Sequence, residues 1–359
     1  METGKDEAIK QVLRKAHNKE SVTIAAFGGS ITEGFYASSP EKSYAGIVKA
    51  WWENTFKDTR ITYVNAGIGA TDSYLGEHRV HRDILKHHPD FVVVDFTVND
   101  HEEPFFEESY DRLMRTLLSV PDAPAILLLF MTMEDGTSAA SLHRKVAARY
   151  NLPIIDYKTR VLSDIEKGVY TWQDISPDDI HPNDKGHGIA GGQICAYLDG
   201  LYDQVKQETE LLKNTSGHSK DAKTEWEVPA KTEILDHDTI APVNAGGFVK
   251  ADLHPHLHKG WVGTCNDEGL EFELSFANFG MTYLKSVSGE FGKADIFIDG
   301  VCVETLDGDF TGGFGDYGQS DRIYVSDEKK QHHVVIKVRK PEGQDEKKVK
   351  FGVLALLVS

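Results

Sequence analysis

Cysteine is scarce in this sequence and unpatterned: Cys195, Cys265 and Cys302 are three in 359 residues, odd in number and far apart. Neither a disulfide framework nor a paired-cysteine zinc motif follows from them, so reduced thiols are the expectation. Long apolar runs are also missing, which leaves no segment able to cross a bilayer as a helix. The opening METGKDEAIKQVLRKAHNK lacks the apolar core of a secretory signal, so a cytoplasmic location is expected. Clusters of Lys and Arg are absent as well. With 39 basic against 57 acidic side chains, the formal net charge is −18. Binding to nucleic acid needs clustered positive charge, and so does binding to an anionic membrane surface; neither partner is expected. A neutral ligand such as a sugar suits this charge better. An oligomer remains open. There is no internal repeat and no low-complexity tract.

What is present describes an ordinary globular protein, 40% hydrophobic and 27% charged. Its length exceeds what one core usually serves, so two domains are expected. From residue 21 to 202, short apolar runs alternate with amphipathic helical stretches. SVTIAAF (21–27), RITYVNA (60–66), DFVVVDF (90–96), AILLLFM (125–131) and LPIIDY (152–157) predict five strands. They are apolar nearly throughout, as in a parallel sheet covered by helices on both faces. The expected architecture is a three-layer α/β domain with right-handed crossovers, flavodoxin-like in plan. A long last helix is predicted from about residue 184 to 213, followed by a polar linker over 214–233. From 234 to 359 the pattern changes to alternating strands and Gly- or Asp-containing turns, predicting an antiparallel β-sandwich. The domains are thus expected at 1–213 and 234–359.

Four polar segments fall where ligands bind in an open parallel sheet, beyond the carboxyl ends of the strands. GGSIT (28–32) follows the first strand, NAGIGATDS (65–73) the second and VNDH (98–101) the third, while PDDIHPNDKGH (177–187) precedes the last helix. Ser30 sits on a glycine-lined turn as a candidate nucleophile. A hydroxyl needs a base, and His181 can be that base. Asp178, three residues earlier, can hold the imidazole tautomer; its neighbour Asp179 competes for this role. For the developing oxyanion, the backbone N–H of Ser30, an N–H from the Gly69–Ala70 turn and the amide of Asn99 are candidate donors. Asp100 and His187 are expected to be structural.

GGSIT, NAGIGATDS, VND and DDIHPND together resemble the four signature blocks of the SGNH (GDSL-like) hydrolase superfamily over roughly residues 21–200. The resemblance implies a serine esterase with Ser30, Asp178 and His181 as its triad and no cofactor. GGSIT lacks the second Gly of the G-x-S-x-G nucleophile elbow of α/β-hydrolases. Two positions depart from the SGNH pattern. The first block is GGS rather than GDS, and Ala70 falls on the family's oxyanion glycine, with Gly69 just before it. Alanine could serve there if its φ is negative.

An SGNH core followed by a sandwich resembles two-domain bacterial carbohydrate acetylesterases, in which the second domain looks like a jelly-roll carbohydrate-binding module. GKADIFIDGVCVETLD (292–307) is similar to the hairpin of such modules. An acetylated mannan or xylan oligosaccharide is then the expected substrate. Trp261, Phe310, Phe314 and Tyr317 are candidate sugar contacts, and Tyr170 and Trp172 are candidates for lining the pocket. The alternating His254, His256 and His258 have Pro255 among them and no completing ligand, so no metal is expected. His256 and His258 are instead expected to reach the active site. A lipase or thioesterase of the same superfamily, acyl transfer instead of hydrolysis, and a catalytically silent carbohydrate-binding protein are the alternatives.

Overall fold

The protein is described by a computed structural model covering residues 6–212, 226–313, 315–341 and 348–359. It divides into two compact units, Met1–Pro229 and Ala230–Ser359.

In the first unit β1 (Val22–Gly28), β2 (Ile61–Gly67), β3 (Phe91–Asp95), β4 (Ala125–Phe130) and β5 (Ile154–Asp156) form a parallel sheet in the order β2-β1-β3-β4-β5. The continuous apolar runs are explained by burial on both faces. Val22, Ile24 and Ala26 of β1 point into one core, with Phe91 and Val93 of β3 and Leu127 and Leu129 of β4. Their neighbours Ala25, Phe27, Val92, Val94, Leu128 and Phe130 point into the other. Each fully buried large side chain contributes about 1.5–3 kcal/mol.

Helices α1 (Glu7–His17), α2 (Ser30–Glu33), α3 (Tyr44–Thr55), α4 (Ser73–Asp83), α5 (Pro104–Ser119), α6 (Ala140–Arg149), α7 (Tyr157–Glu166) and α8 (Asp184–Leu212) complete this unit. Residues of α1, α3, α7 and α8 close the first core, and those of α4, α5 and α6 close the second. Side chains start three of these helices. Ser43, Asp72 and Asp156 accept the backbone N–H of Gly46, Leu75 and Thr159, respectively, relieving donors that a helix leaves unpaired.

Of the expected linker, 214–225 lie outside the described residues. Trp226 belongs to the first unit, with its ring 4.8 Å from that of Tyr150.

The second unit is antiparallel, as its alternation suggests. Its strands are β6 (Glu233–Leu235), β7 (Val249–Ala251), β8 (Gly260–Thr264), β9 (Leu270–Lys285), β10 (Lys293–Ile298), β11 (Val301–Asp307), β12 (Tyr317–Val338) and β13 (Lys350–Val358). Among the described residues they hydrogen-bond as one sheet, β11-β10-β12-β9-β13-β8-β7, with β6 on β13. Two layers arise because β9 and β12 are long and change neighbours along their length. One end of β12 (334–338) pairs with β10, whereas the other end of β9 (279–283) pairs with β13. Between them the β12–β9 register slips at Val325/Lys330, and such a bulge bends the ribbon. Residues of β10 and β13, which are not neighbours in the sheet, therefore share one core. The expected 292–307 hairpin is β10–β11. It turns through Asp299 and Gly300, whose φ values of 51° and 79° are those of the two-residue type I′ turn.

Candidate active site

The sheet register explains how segments far apart in the chain meet. Gly28, the last residue of β1, is paired with Gly67 of β2 and Asp95 of β3, so three loops leave the same edge together. Side chains then tie these loops to one another. Asn65 Nδ2 donates to Thr32 O at 2.9 Å and Asn65 Oδ1 accepts from Gly67 N at 2.9 Å. Asp100 Oδ1 accepts from Ser73 N at 2.8 Å, joining the third loop to the second.

Beneath them lies Arg79, fully buried on α4, a residue that sequence reasoning missed. Its guanidinium donates to Ala66 O at 2.7 Å and Gly28 O at 2.9 Å, the carbonyls at the ends of β2 and β1, and faces the Phe27 ring. Burial lowers its pKa to about 10, against the attraction of Asp83, so it remains charged at neutral pH. In the sequence Arg79 is one of several charged and polar residues of α4, with nothing to set it apart.

Ser30 opens α2 and is 93% shielded from solvent, at 7% exposure. Its Oγ lies 2.9 Å from His181 Nε2, and His181 Nδ1 lies 2.8 Å from Asp178 Oδ2. A carboxylate accepts, so Nδ1 carries the proton and Nε2 is free to accept from the serine. The second carboxylate oxygen, Oδ1, accepts the backbone N–H of Ile180 at 2.9 Å and of His181 at 2.6 Å. Burial would raise the pKa of Asp178, but the bonds from the His181 ring, from its backbone and from Ile180 outweigh it, and the net shift is downward. The imidazole thus takes its carboxylate from Asp178, while Asp179 is engaged through its backbone carbonyl, which accepts from Glu134 N at 2.8 Å.

This turn is braced from behind. Ser176 Oγ lies 2.7 and 2.6 Å from the carbonyl oxygens of Asp178 and His181 and shares its one proton between them, and Trp172 Nε1 donates to Asp178 O at 2.6 Å.

On the other side of Ser30, Asn99 packs so closely against Gly29 that a Cβ there would lie 2.2 Å from Asn99 Oδ1. The GGS variant of the first block thus leaves room for the Asn99 amide beside the nucleophile. A Cβ on Gly69 would lie 3.9 Å from Ser30 Cβ, so the Gly69 backbone borders the serine. Ala70 has φ +55°, which fails the negative-φ condition set for it as a donor. Left-handed alanine is strained by roughly 1–2 kcal/mol, and the turn sustains it through ties such as Thr71 Oγ1 to Ile68 O.

Other candidates are placed differently. Trp172 is buried in the core and acts as a brace, not as a pocket wall. Tyr170 is engaged through its hydroxyl with Asp164 and beneath the Lys185 ammonium. In the second unit Trp261 is 1% exposed and packs edge-on against Phe272, so it cannot present a face to a sugar. Alternation along β8 points it inward. Phe310 and Tyr317 pack on each other at 5.0 Å, and Phe314 lies outside the described residues. His254 Nδ1 accepts the His256 N–H, and His258 Nδ1 pairs with Asp252 at 3.1 Å. Among the described residues no group of three or more His, Cys, Asp or Glu is placed to hold a metal.

Sequence reasoning also missed an aromatic pair beside the histidine. Phe35 and Tyr36 lie 4.6 and 5.8 Å, centroid to centroid, from the His181 ring. Their loop is held by the end of the same block that carries His181. His187 accepts Tyr44 N at Nδ1 and donates from Nε2 to Phe35 O at 3.1 Å. Burial holds His187 below the usual histidine range, which suits this neutral arrangement. Asp184 accepts from Ser38 N, Ser38 Oγ and Lys42 Nζ, contacts that lower its pKa to about 2.

A hydroxyl–imidazole–carboxylate chain at the carboxyl edge of a five-stranded parallel sheet, with Asn99 and Gly69 alongside, defines an SGNH-type hydrolase domain. Residues 26–189 match the model of the GDSL-like lipase/acylhydrolase family. The whole chain is similar to a two-domain esterase active on acetylated mannans, in crystal structures with and without mannopentaose. Identity is 29% and the TM-score 0.87 in both; 99% of this chain is covered, against 95% and 96% of the other. No curated protein sequence matches the chain. The protein is a carboxylic ester hydrolase.

Proposed function

We propose that this enzyme removes O-acetyl groups from mannan- or xylan-type oligosaccharides through an acyl-Ser30 intermediate. The observation that carries the chemistry is the continuous Ser30–His181–Asp178 hydrogen-bond chain. The carbohydrate substrate is supported by the similarity, over both units, to an esterase active on acetylated mannans.

In the first half-reaction Ser30 Oγ attacks the ester carbonyl while His181 Nε2 takes its proton. Asp178 holds the ring in the accepting tautomer and stabilises the imidazolium. The oxyanion is received by the N–H groups of Ser30 and Gly69 and by the Asn99 amide. Collapse breaks the bond to the sugar oxygen, which leaves with the proton from His181. Water then attacks acetyl-Ser30 by the same route, releasing acetate and restoring the serine.

Ser30→Ala removes the nucleophile, and kcat for acetate release from acetylated manno-oligosaccharides should fall by about 10⁴-fold or more. Labelling by a fluorophosphonate should disappear with it. Wild-type turnover in the variant would refute the acyl-serine route. A wild-type enzyme that hydrolyses octanoyl esters but not acetylated oligosaccharides would refute the substrate.

A further inference from the structure

We propose that Phe35 and Tyr36 form the binding platform for the sugar ring that carries the scissile ester, the leaving-group subsite of the enzyme. The proposal rests on the carbohydrate substrate proposed above and assigns it a place.

Exposure is the first argument. Among the described residues, the large apolar side chains left exposed are Phe35 (39%), Tyr36 (48%) and otherwise only Val and Leu. The two exposed aromatics are therefore adjacent in sequence, 4.5 Å apart by ring centroid, and both against the catalytic imidazole. Rings this exposed add little to a core, so packing alone does not account for them.

Construction is the second argument. Tyr36 is held at φ +62°, a left-handed backbone that aromatic residues seldom adopt. A mere connection from α2 to α3 would relax by carrying Gly or Asn there. Instead the loop is pinned on both sides, by His187 at the Phe35 carbonyl and by Asp184 at Ser38 and Lys42. Strain that the surroundings hold in place is a mark of a functional surface.

Position decides what the platform touches. The proton that His181 takes from Ser30 is returned to the oxygen of the departing alcohol. A ring packed on that imidazole therefore borders the alcohol part of the ester, while the acyl carbonyl lies toward Gly69 and Asn99. The chemistry fits a pyranose, whose C–H face packs on an aromatic face and whose hydroxyls remain free for water. No charge is needed, in keeping with a neutral substrate.

The test compares kcat/KM for acetylated mannotetraose and for ethyl acetate, whose alcohol is too small to reach the platform. For Phe35→Ala/Tyr36→Ala, the ratio of sugar to ethyl ester should fall by about tenfold or more, chiefly through KM for the sugar. Phe35→Leu/Tyr36→Asn guards against misfolding, because Asn tolerates the left-handed backbone, and it should show the same direction. In a Ser30→Ala background, unacetylated mannotetraose should bind more weakly by calorimetry once the two rings are replaced. Equal losses on both esters would mean that the rings act only on His181, and would overturn the proposal; so would an unchanged ratio. Wild-type enzyme active on ethyl acetate but inert on the acetylated sugar would instead overturn the carbohydrate substrate itself, and the platform with it.

Discussion

Among the described residues of the first unit two Asp–His pairs have the same bond length, and they do different things. Asp178 and His181 are 2.8 Å apart at a partly open edge, and Ser30 stands on the far nitrogen of the imidazole. Asp100 and His143 are also 2.8 Å apart, but both side chains are wholly buried. The His143 ring lies parallel to Tyr110 at 3.6 Å, and its Nδ1 has no hydrogen-bond partner. The first pair can pass a proton because the chain of bonds continues to a reacting atom. The second ends in the protein interior, and its carboxylate is spent on Ser73 N–H and His143. A carboxylate beside an imidazole is thus not a site until a third group and access to substrate complete it.

This contrast can be broken by making the same change in both pairs. Asp178→Asn should lower kcat by about 10³–10⁴-fold, because the wrong imidazole tautomer is favoured, while thermal unfolding moves little. Asp100→Asn should do the reverse. It disturbs two buried bonds and leaves His143 poorly paired, so a loss of about 2–4 kcal/mol in urea denaturation is expected, with only about a tenfold fall in kcat as the Asn99 and Ser73 loops loosen. If Asp100→Asn proved catalytically dead yet fully stable, the distinction between the pairs would collapse.

A smaller effect sharpens the comparison in acid. The folded pKa of Asp178 is depressed, so its contribution to stability is present above the ordinary value of 3.8 and is lost as pH falls through the depressed value. The stability difference between wild type and Asp178→Asn, measured by urea unfolding at pH 7, 4 and 3, should therefore shrink toward the most acidic point. A difference that widened in acid would contradict the depressed pKa.

Much of the site could be read from linear order. GGSIT, NAGIGATDS, VND and DDIHPND are short, polar and adjacent to strand ends, so their convergence followed from the parallel sheet. Ser30, Asp178, His181 and Asn99 were all named on that basis, and they lie together. Other features left no such trace. Arg79 reads as one more charged helix residue until its guanidinium is seen on two strand-end carbonyls. Trp172 looked like a pocket wall because aromatics often line pockets, yet its indole N–H is used to brace Asp178. Trp261 looked like a sugar platform, and the register of β8 turned it inward. Phe35 and Tyr36 were passed over because a loop aromatic has no periodicity to betray its direction.

The alternation of apolar runs and helices was sufficient by itself to determine the parallel α/β unit, the antiparallel unit and the edge on which the four loops meet, since burial of apolar surface is a property of sequence period. Only tertiary structure decided that Gly69 borders Ser30 while Ala70 is left-handed, that His187 carries the aromatic loop, and that one Asp–His pair reaches a serine while the other ends against Tyr110. The reason is physical: periodicity specifies which face of an element is covered, whereas a hydrogen bond depends on angles and on ångström distances between groups that the chain separates by tens or hundreds of residues.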